Sequence, residues 1–306
     1  MSLDPQLAPL IEALDAGFPP VHTMTGAQAR ELIRSRFAPP LEPEPVAEVR
    51  DAVVSGPGGD IPVRLYRPAS DGRLPAVVYA HGGGFVFCDL DSHDGLCRDI
   101  ANRIPAVVIS VDYRLAPEHQ WPAAAEDVYA VAQWAAEHAD DTGADAARIV
   151  VGGDSAGGNL SAVAALMTRD RTGHPIAAQL LIYPVIAADF DTESYRLYGK
   201  GFYNPQPAMR WYWDQYVPVA RDRDHPYASP LRANLEGLPP AVVVIAGHDP
   251  LRDEGIAFAD ALDAAGVTTS RCVFEGGIHG FMTMPTLGIA QRARQQACRE
   301  LSRLLG

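Results

Sequence analysis

The stretch Val150–Leu160 reads VVGGDSAGGNL. An apolar run ends in two glycines, one serine follows, and alanine and two more glycines come after it. The apolar run suits a buried strand. The small residues suit a tight turn, and the continuation NLSAVAALMTRD carries the apolar spacing of a helix. Ser155 therefore stands at a strand-to-helix turn, with Gly153 and Gly157 flanking it as Gly-x-Ser-x-Gly. Such a turn pushes the serine Oγ out above the sheet edge and tolerates no bulk beside it. The competing reading of Ser155 is a helix N-cap.

The rest of the chain fits the same rhythm. Five apolar runs, PAVVYA, AVVISVD, RIVVGG, AQLLIY and AVVVIA, have the continuous Val/Ile/Ala character of strands covered on both faces, and TTSRCVFEG makes a last strand. AAAEDVYAVAQWAAEH, NLSAVAALMTRD, LRDEGIAFADALDAAG and IAQRARQQACRELSRLL read as helices. Near the front, VRDAVVS and IPVRLYR flank GPGGD and predict an antiparallel hairpin. The expected architecture is α/β, a mostly parallel sheet of about eight strands with helices on both faces.

Two segments break the pattern. Residues 1–45 carry helical spacing at Leu7, Leu10, Ile11 and Leu14, a second weak helix near Gly26–Arg36, and then the proline-rich FAPPLEPEPV, read as a linker. Residues 185–233 interrupt the strand–helix alternation with the aromatic YGKGFYNPQPAMRWYWDQYV. Both are expected to form a helical cap over a catalytic domain made of 46–184 and 234–306. The cap aromatics Phe202, Tyr203, Trp211 and Tyr212 are expected to line an apolar pocket; the alternative is packing onto the body.

Composition narrows the function. The 306 residues carry a formal net charge of −13, which disfavours nucleic acid and anionic membrane surfaces. Lys200 is the sole lysine. Cys88, Cys97, Cys272 and Cys298 show no metal-ligand spacing and are expected to be free thiols. The opening MSLDPQLAPL lacks the features of a signal peptide, and no apolar run reaches the length of a membrane span. The expected compartment is the cytoplasm.

A serine nucleophile needs an oxyanion hole, a base and an acid. His81-Gly82-Gly83-Gly84-Phe85 follows the strand PAVVYA, and its glycines leave backbone N–H groups uncovered. The Ala156 N–H supplies a further donor. A phosphate-cradling loop is the rival reading, but neither phosphate-loop pattern is present. His279, in the glycine-flanked loop FEGGIHGFM, lies at the same sheet edge as Ser155 and is the candidate base. Asp249 follows the strand AVVVIAG and is the candidate acid, ahead of Asp253 and Glu254. His248 is the rival base, disfavoured because it adjoins Asp249 on the chain. The order Ser, Asp, His is that of α/β-hydrolases.

With HGGGF at His81–Phe85, YRLAPEHQWPAA at Tyr113–Ala124, GDSAGGN at Gly153–Asn159, DPLRDEG at Asp249–Gly255 and HGF at His279–Phe281, the sequence resembles the hormone-sensitive lipase family of α/β-hydrolases, especially its bacterial carboxylesterases. The resemblance implies the α/β-hydrolase fold, a Ser155–Asp249–His279 triad, and an oxyanion hole from the amides of Gly83, Gly84 and Ala156. It also implies a two-part cap, a structural His81, and hydrolysis of short- to medium-chain carboxylic esters with no cofactor or metal. Lactones, carbamates or amides could serve the same triad, and a small-molecule receptor is the reading from another class. Trp121 stands where the family has Phe, and Cys88 where a glycine is common, so a thiol near the pocket is expected. Arg114 and Glu118 are expected to brace the site floor. The partner is a small ester, and the strand TTSRCVFEG offers an edge for a homodimer.

Overall fold

The computed structural model describes residues 2–37 and 42–306. The core of FAPPLEPEPV, at 38–41, lies outside the described residues. Eight strands form one sheet: β1 (Glu48–Gly56), β2 (Gly59–Arg67), β3 (Leu74–Ala80), β4 (Val107–Val111), β5 (Ala144–Asp154), β6 (Ala178–Ile182), β7 (Ala241–His248) and β8 (Thr269–Ile278). Their spatial order is β1-β2-β4-β3-β5-β6-β7-β8. The expected hairpin pairs β1 with β2, antiparallel, and β2 runs antiparallel to β4. All later pairings are parallel.

The sequence pattern accounts for this. Every residue of β3, β4, β6 and β7 is buried, as strands covered on both faces require. Alternate side chains feed opposite layers. Val78 and Ala80 join the core beneath helices Ala123–Glu137, Ala156–Asp170 and Arg252–Ala264. Val77 and Tyr79 join the core beneath Asp94–Arg103 and Gly288–Leu305.

The chain leaves β3 toward β4 on one side, then returns across the sheet to lay β5 on β3's other side. The loops after β3 and β5 therefore diverge, and a crevice opens between them at the carboxyl ends of the strands. One loop is HGGGF and the other turn carries Ser155. Ala80 pairs with Gly153 in the register, so the two meet at the sheet edge.

The helix Asp94–Arg103 has no counterpart in the sequence reading. It is short, and half of DGLCRDIANR is polar or charged. The second helix of the arm spans Gly26–Arg36 as expected and opens with a capping box between Thr25 and Gln28. The first is shorter than its apolar spacing suggested, at Ile11–Gly17; Leu7 is buried ahead of it, while Leu10 points to solvent.

The expected brace divides into two separate links. Arg114 binds Asp127 through its backbone N–H and guanidinium, at 2.8–3.1 Å, fixing the helix Ala123–Glu137. Glu118 instead pairs with Arg30 of the arm, whose guanidinium also donates to the Val86 and Ala116 carbonyls. Arg114→Ala would leave Asp127, fully buried, without its counter-charge. The expected loss is about 3–5 kcal/mol, read as a lower urea midpoint with unchanged slope.

Candidate functional site

Ser155 sits between β5 and the helix Ala156–Asp170 with φ 54° and ψ −116°, a backbone conformation that non-glycine residues rarely hold. The turn is held from three sides. The Ser155 N–H donates to the Ile182 carbonyl at 2.9 Å, and the Ser155 carbonyl accepts from Val185 at 3.1 Å and Asn159 at 3.2 Å. A methyl group on Gly153 or Gly157 would run into the Ala80 carbonyl, so only glycine fits at either position.

The structure brings the three sequence candidates into one chain of contacts. Ser155 Oγ lies 2.9 Å from His279 Nε2, and His279 Nδ1 lies 2.7 Å from Asp249 Oδ2. The other Asp249 oxygen accepts the Leu251 N–H at 2.8 Å, which locks the carboxylate's plane. Asp249 is fully buried. Tyr183 packs its ring 4.9 Å from the imidazole of His279. His248 is elsewhere: its Nδ1 faces the Glu275 carbonyl at 2.8 Å, and its ring packs against Phe202 and Tyr198.

Opposite Ser155 lies the glycine loop, with Gly83 at φ 121° and Gly84 at φ 59°. The Gly83 carbonyl accepts from Val86 and Phe87, turning the loop back on itself. The N–H groups of Gly83, Gly84 and Ala156 have no protein acceptor among the described residues, and Gly83 and Gly84 border the same cavity as Ser155. His81 is wholly buried and stacks on Tyr113 at 4.3 Å, while its Nδ1 donates to the Gly82 carbonyl at 2.7 Å. Burial first, then the nearby His93, lower its pKa to about 4, so it is a neutral structural post.

Sequence reasoning missed Asp154, the residue before the serine. Its Oδ1 accepts from the Gly82 N–H at 2.9 Å and the Tyr79 hydroxyl at 2.8 Å, and His93 Nε2 lies 3.2 Å away. One carboxylate thus ties the glycine loop to the strand that carries the serine. Burial opposes its charge, but His93 and then Tyr79 more than offset that and hold it below the ordinary carboxylate range. Asp253 and Glu254, set aside as acids, anchor the start of the insertion. Asp253 accepts the Ser194 N–H at 2.7 Å, and Glu254 accepts the Ile186 N–H at 2.6 Å. Burial keeps the Glu254 carboxyl well above its usual value.

The cavity has a volume of about 400 Å³. Tyr203 and Tyr212 line it as expected, whereas Phe202 and Trp211 do not. The arm contributes walls that the sequence did not announce: Phe18, Ile33 and Phe37. Cys88 borders it as well, at φ 71°, holding the left-handed backbone that glycine would favour. Burial pushes its thiol up to about 12. Trp121 docks the insertion, donating from Nε1 to the Tyr227 carbonyl at 2.9 Å. All four cysteines are unpaired, and no helix among the described residues is long and apolar enough to cross a membrane.

An eight-stranded sheet of this order, with Ser, His and Asp in contact at its carboxyl edge, defines an α/β hydrolase. A family model described as the alpha/beta hydrolase fold matches residues 77–283, and the chain belongs to that family, in its hormone-sensitive lipase branch. It is 45% identical over 256 residues to carboxylic ester hydrolase LipN of Mycobacterium tuberculosis, covering 80% of this chain and 67% of that one. It is 40% identical over 288 residues to carboxylesterase NlhH of the same organism, covering 91% and 89%. Among solved structures, a hyperthermophilic esterase from the archaeon Pyrobaculum calidifontis superposes with a TM-score of 0.92 at 42% identity, over 99% of each chain.

The Asp154 carboxyl titrates below its unfolded value, so its deprotonated form favours the fold. That contribution is complete above about pH 4 and is lost as pH falls through the lowered folded value. In Asp154→Asn the amide oxygen still accepts from Gly82 and Tyr79, but the charge facing His93 is gone. The variant is expected to be less stable than wild type at pH 6, with the gap narrowing toward pH 3, as followed by urea unfolding across pH.

Proposed function

We propose that Ser155 is the nucleophile, His279 the general base and acid, and Asp249 its orienting acid, with the Gly83, Gly84 and Ala156 amides as the oxyanion hole. The enzyme is a carboxylic ester hydrolase. The observation that carries the assignment is the unbroken Ser155–His279–Asp249 contact chain beside amides that lack acceptors. Ser155 Oγ attacks the ester carbonyl carbon as its proton passes to His279 Nε2. The carbonyl oxygen becomes an oxyanion held by the amides. The C–O bond then breaks, and the alcohol leaves with the proton from His279. Water, deprotonated by His279, attacks the acyl-enzyme and releases the carboxylic acid and Ser155. Removing a single oxyanion donor in comparable sites costs about 10²–10³ in rate.

Residues 1–45 and 185–233 are assigned to a cap, and 46–184 with 234–306 to the catalytic domain. The walls that Phe18, Ile33, Tyr203 and Tyr212 give the cavity support this. A cavity of about 400 Å³ suits short to medium acyl chains. Free thiols suit a reducing compartment, and we assign the enzyme to the cytoplasm. The edge strand β8, with Val273 partly exposed, supports a homodimer.

Ser155→Ala is expected to lower kcat on p-nitrophenyl butyrate by at least about 10⁴-fold without loss of fold. Across an acetyl-to-palmitoyl series, wild type is expected to peak between C4 and C8; a maximum at palmitoyl would refute the acyl-size assignment. Light scattering after size exclusion is expected to give twice the chain mass, and Val273→Lys to return the monomer.

A further inference from the structure

One wall of the catalytic cavity has no part in the hydrolysis described above. Tyr212, on the helix Gln206–Tyr216, lays its ring against Gly84, where a methyl group would strike the ring carbons. The residue is 5% exposed, and its hydroxyl has no hydrogen-bond partner among the described residues. The hydroxyls of Tyr183, Tyr195 and Tyr216 also lack partners, but those are sealed in the core. The Tyr212 hydroxyl is not among those enclosed atoms, and the residue lines the cavity. Tyr203 lines the same cavity, and its hydroxyl likewise has no hydrogen-bond partner among the described residues.

Arg36 stands on this cavity's lining as well. It donates to the Gly17 carbonyl, which holds it in place. No carboxylate lies within ion-pair distance of it among the described residues. That is unusual in a chain with 38 Asp and Glu against 25 Lys and Arg, where most arginines, such as Arg30, Arg34, Arg64 and Arg114, have an acid partner. Among the described residues, Arg36 is also the sole Arg or Lys on the cavity lining.

Burial first, then Tyr203 and Cys88, keep the Tyr212 phenol neutral, so it is a donor at any working pH. A bare alkyl arm passing this wall would displace water from both phenols and leave them unpaired, which is unfavourable. A carboxylate offers acceptors to both and a charge to Arg36, and such charge-assisted bonds are the stronger kind. The chain's overall negative charge does not cancel this, because charges beyond about 8 Å are largely screened at physiological salt.

We propose that Tyr212, Tyr203 and Arg36 form a recognition subsite for a carboxylate on the substrate. The preferred esters then carry a free carboxylate on the arm that passes this wall, as half-esters of short dicarboxylic acids do. The proposal rests on the esterase reading and on the cavity it uses.

The test is kcat/KM, by pH-stat, for monoethyl glutarate against its near-isostere ethyl pentanoate, with diethyl glutarate as the uncharged diester. p-Nitrophenyl acetate hydrolysis by the same preparation reports the esterase reading separately. Wild type is expected to favour monoethyl glutarate over ethyl pentanoate by about tenfold or more. Tyr212→Phe, which keeps the ring on Gly84, is expected to shrink that ratio by about tenfold, and Arg36→Gln by about fivefold. A wild-type ratio near one, or a ratio that neither variant moves, overturns the subsite while p-nitrophenyl acetate turnover leaves the esterase standing. Equal use of diethyl glutarate and the half-ester overturns the carboxylate assignment. Loss of all four activities in a folded enzyme overturns the esterase reading and the subsite together.

Discussion

The Ala80 carbonyl leaves no room for a methyl group at Gly153 or Gly157. That close approach of two backbones sets the geometry of the whole site. β3 and β5 are neighbours, and the turn after β5 can fold back over the end of β3 because both glycines lack a Cβ. The turn then holds Ser155 in its strained conformation. The strain is over-determined rather than merely tolerated. Three backbone hydrogen bonds fix Ser155, and Asp154 joins its strand to Gly82. His279 and Asp249 arrive from the ends of β8 and β7, strands that pair in parallel at the edge of the sheet.

Much of this was legible in the sequence because the signals are local. Unbroken apolar runs mark strands buried on both faces, and small residues around Ser155 mark a turn that excludes side chains. The chain order of Ser155, Asp249 and His279 picks out one acid and one base from many. What escaped is what depends on distant contacts. Asp154 looks like filler between glycine and serine until the fold sets it against Gly82, Tyr79 and His93. The cavity walls from Phe18, Ile33 and Phe37 come from an arm whose sequence shows only weak helical spacing. Among the cap aromatics, spacing alone cannot tell the rings facing the cavity, Tyr203 and Tyr212, from Phe202, which packs on His248. Glu118 was read as a partner in the floor with Arg114, yet its counter-charge lies on the arm.

Polar links add to the joining of the arm and the insertion to the sheet body. Arg30 reaches Glu118 and two carbonyls, Arg34 reaches Asp89, Trp121 reaches the Tyr227 carbonyl, and Asp253 and Glu254 hold the first residues of the insertion. Such bonds are specific in direction but individually modest. They add direction to an apolar core that is shared: Val21 and Ala29 of the arm and Trp211 and Trp213 of the insertion pack in one cluster with Val78, Ala80 and Leu160.

The arm's placement has an evolutionary consequence. Ser155, Asp249 and His279 sit at strand ends and turns, and beside Ser155 neither Gly153 nor Gly157 admits a larger residue. Phe18, Ile33 and Phe37, which line the cavity, sit on an arm latched to the body by side chains such as Arg30 and Arg34. Changes in that arm reshape the cavity while leaving Ser155, Asp249 and His279 where they are. Descendants of such a chain can therefore diversify their diet one arm residue at a time.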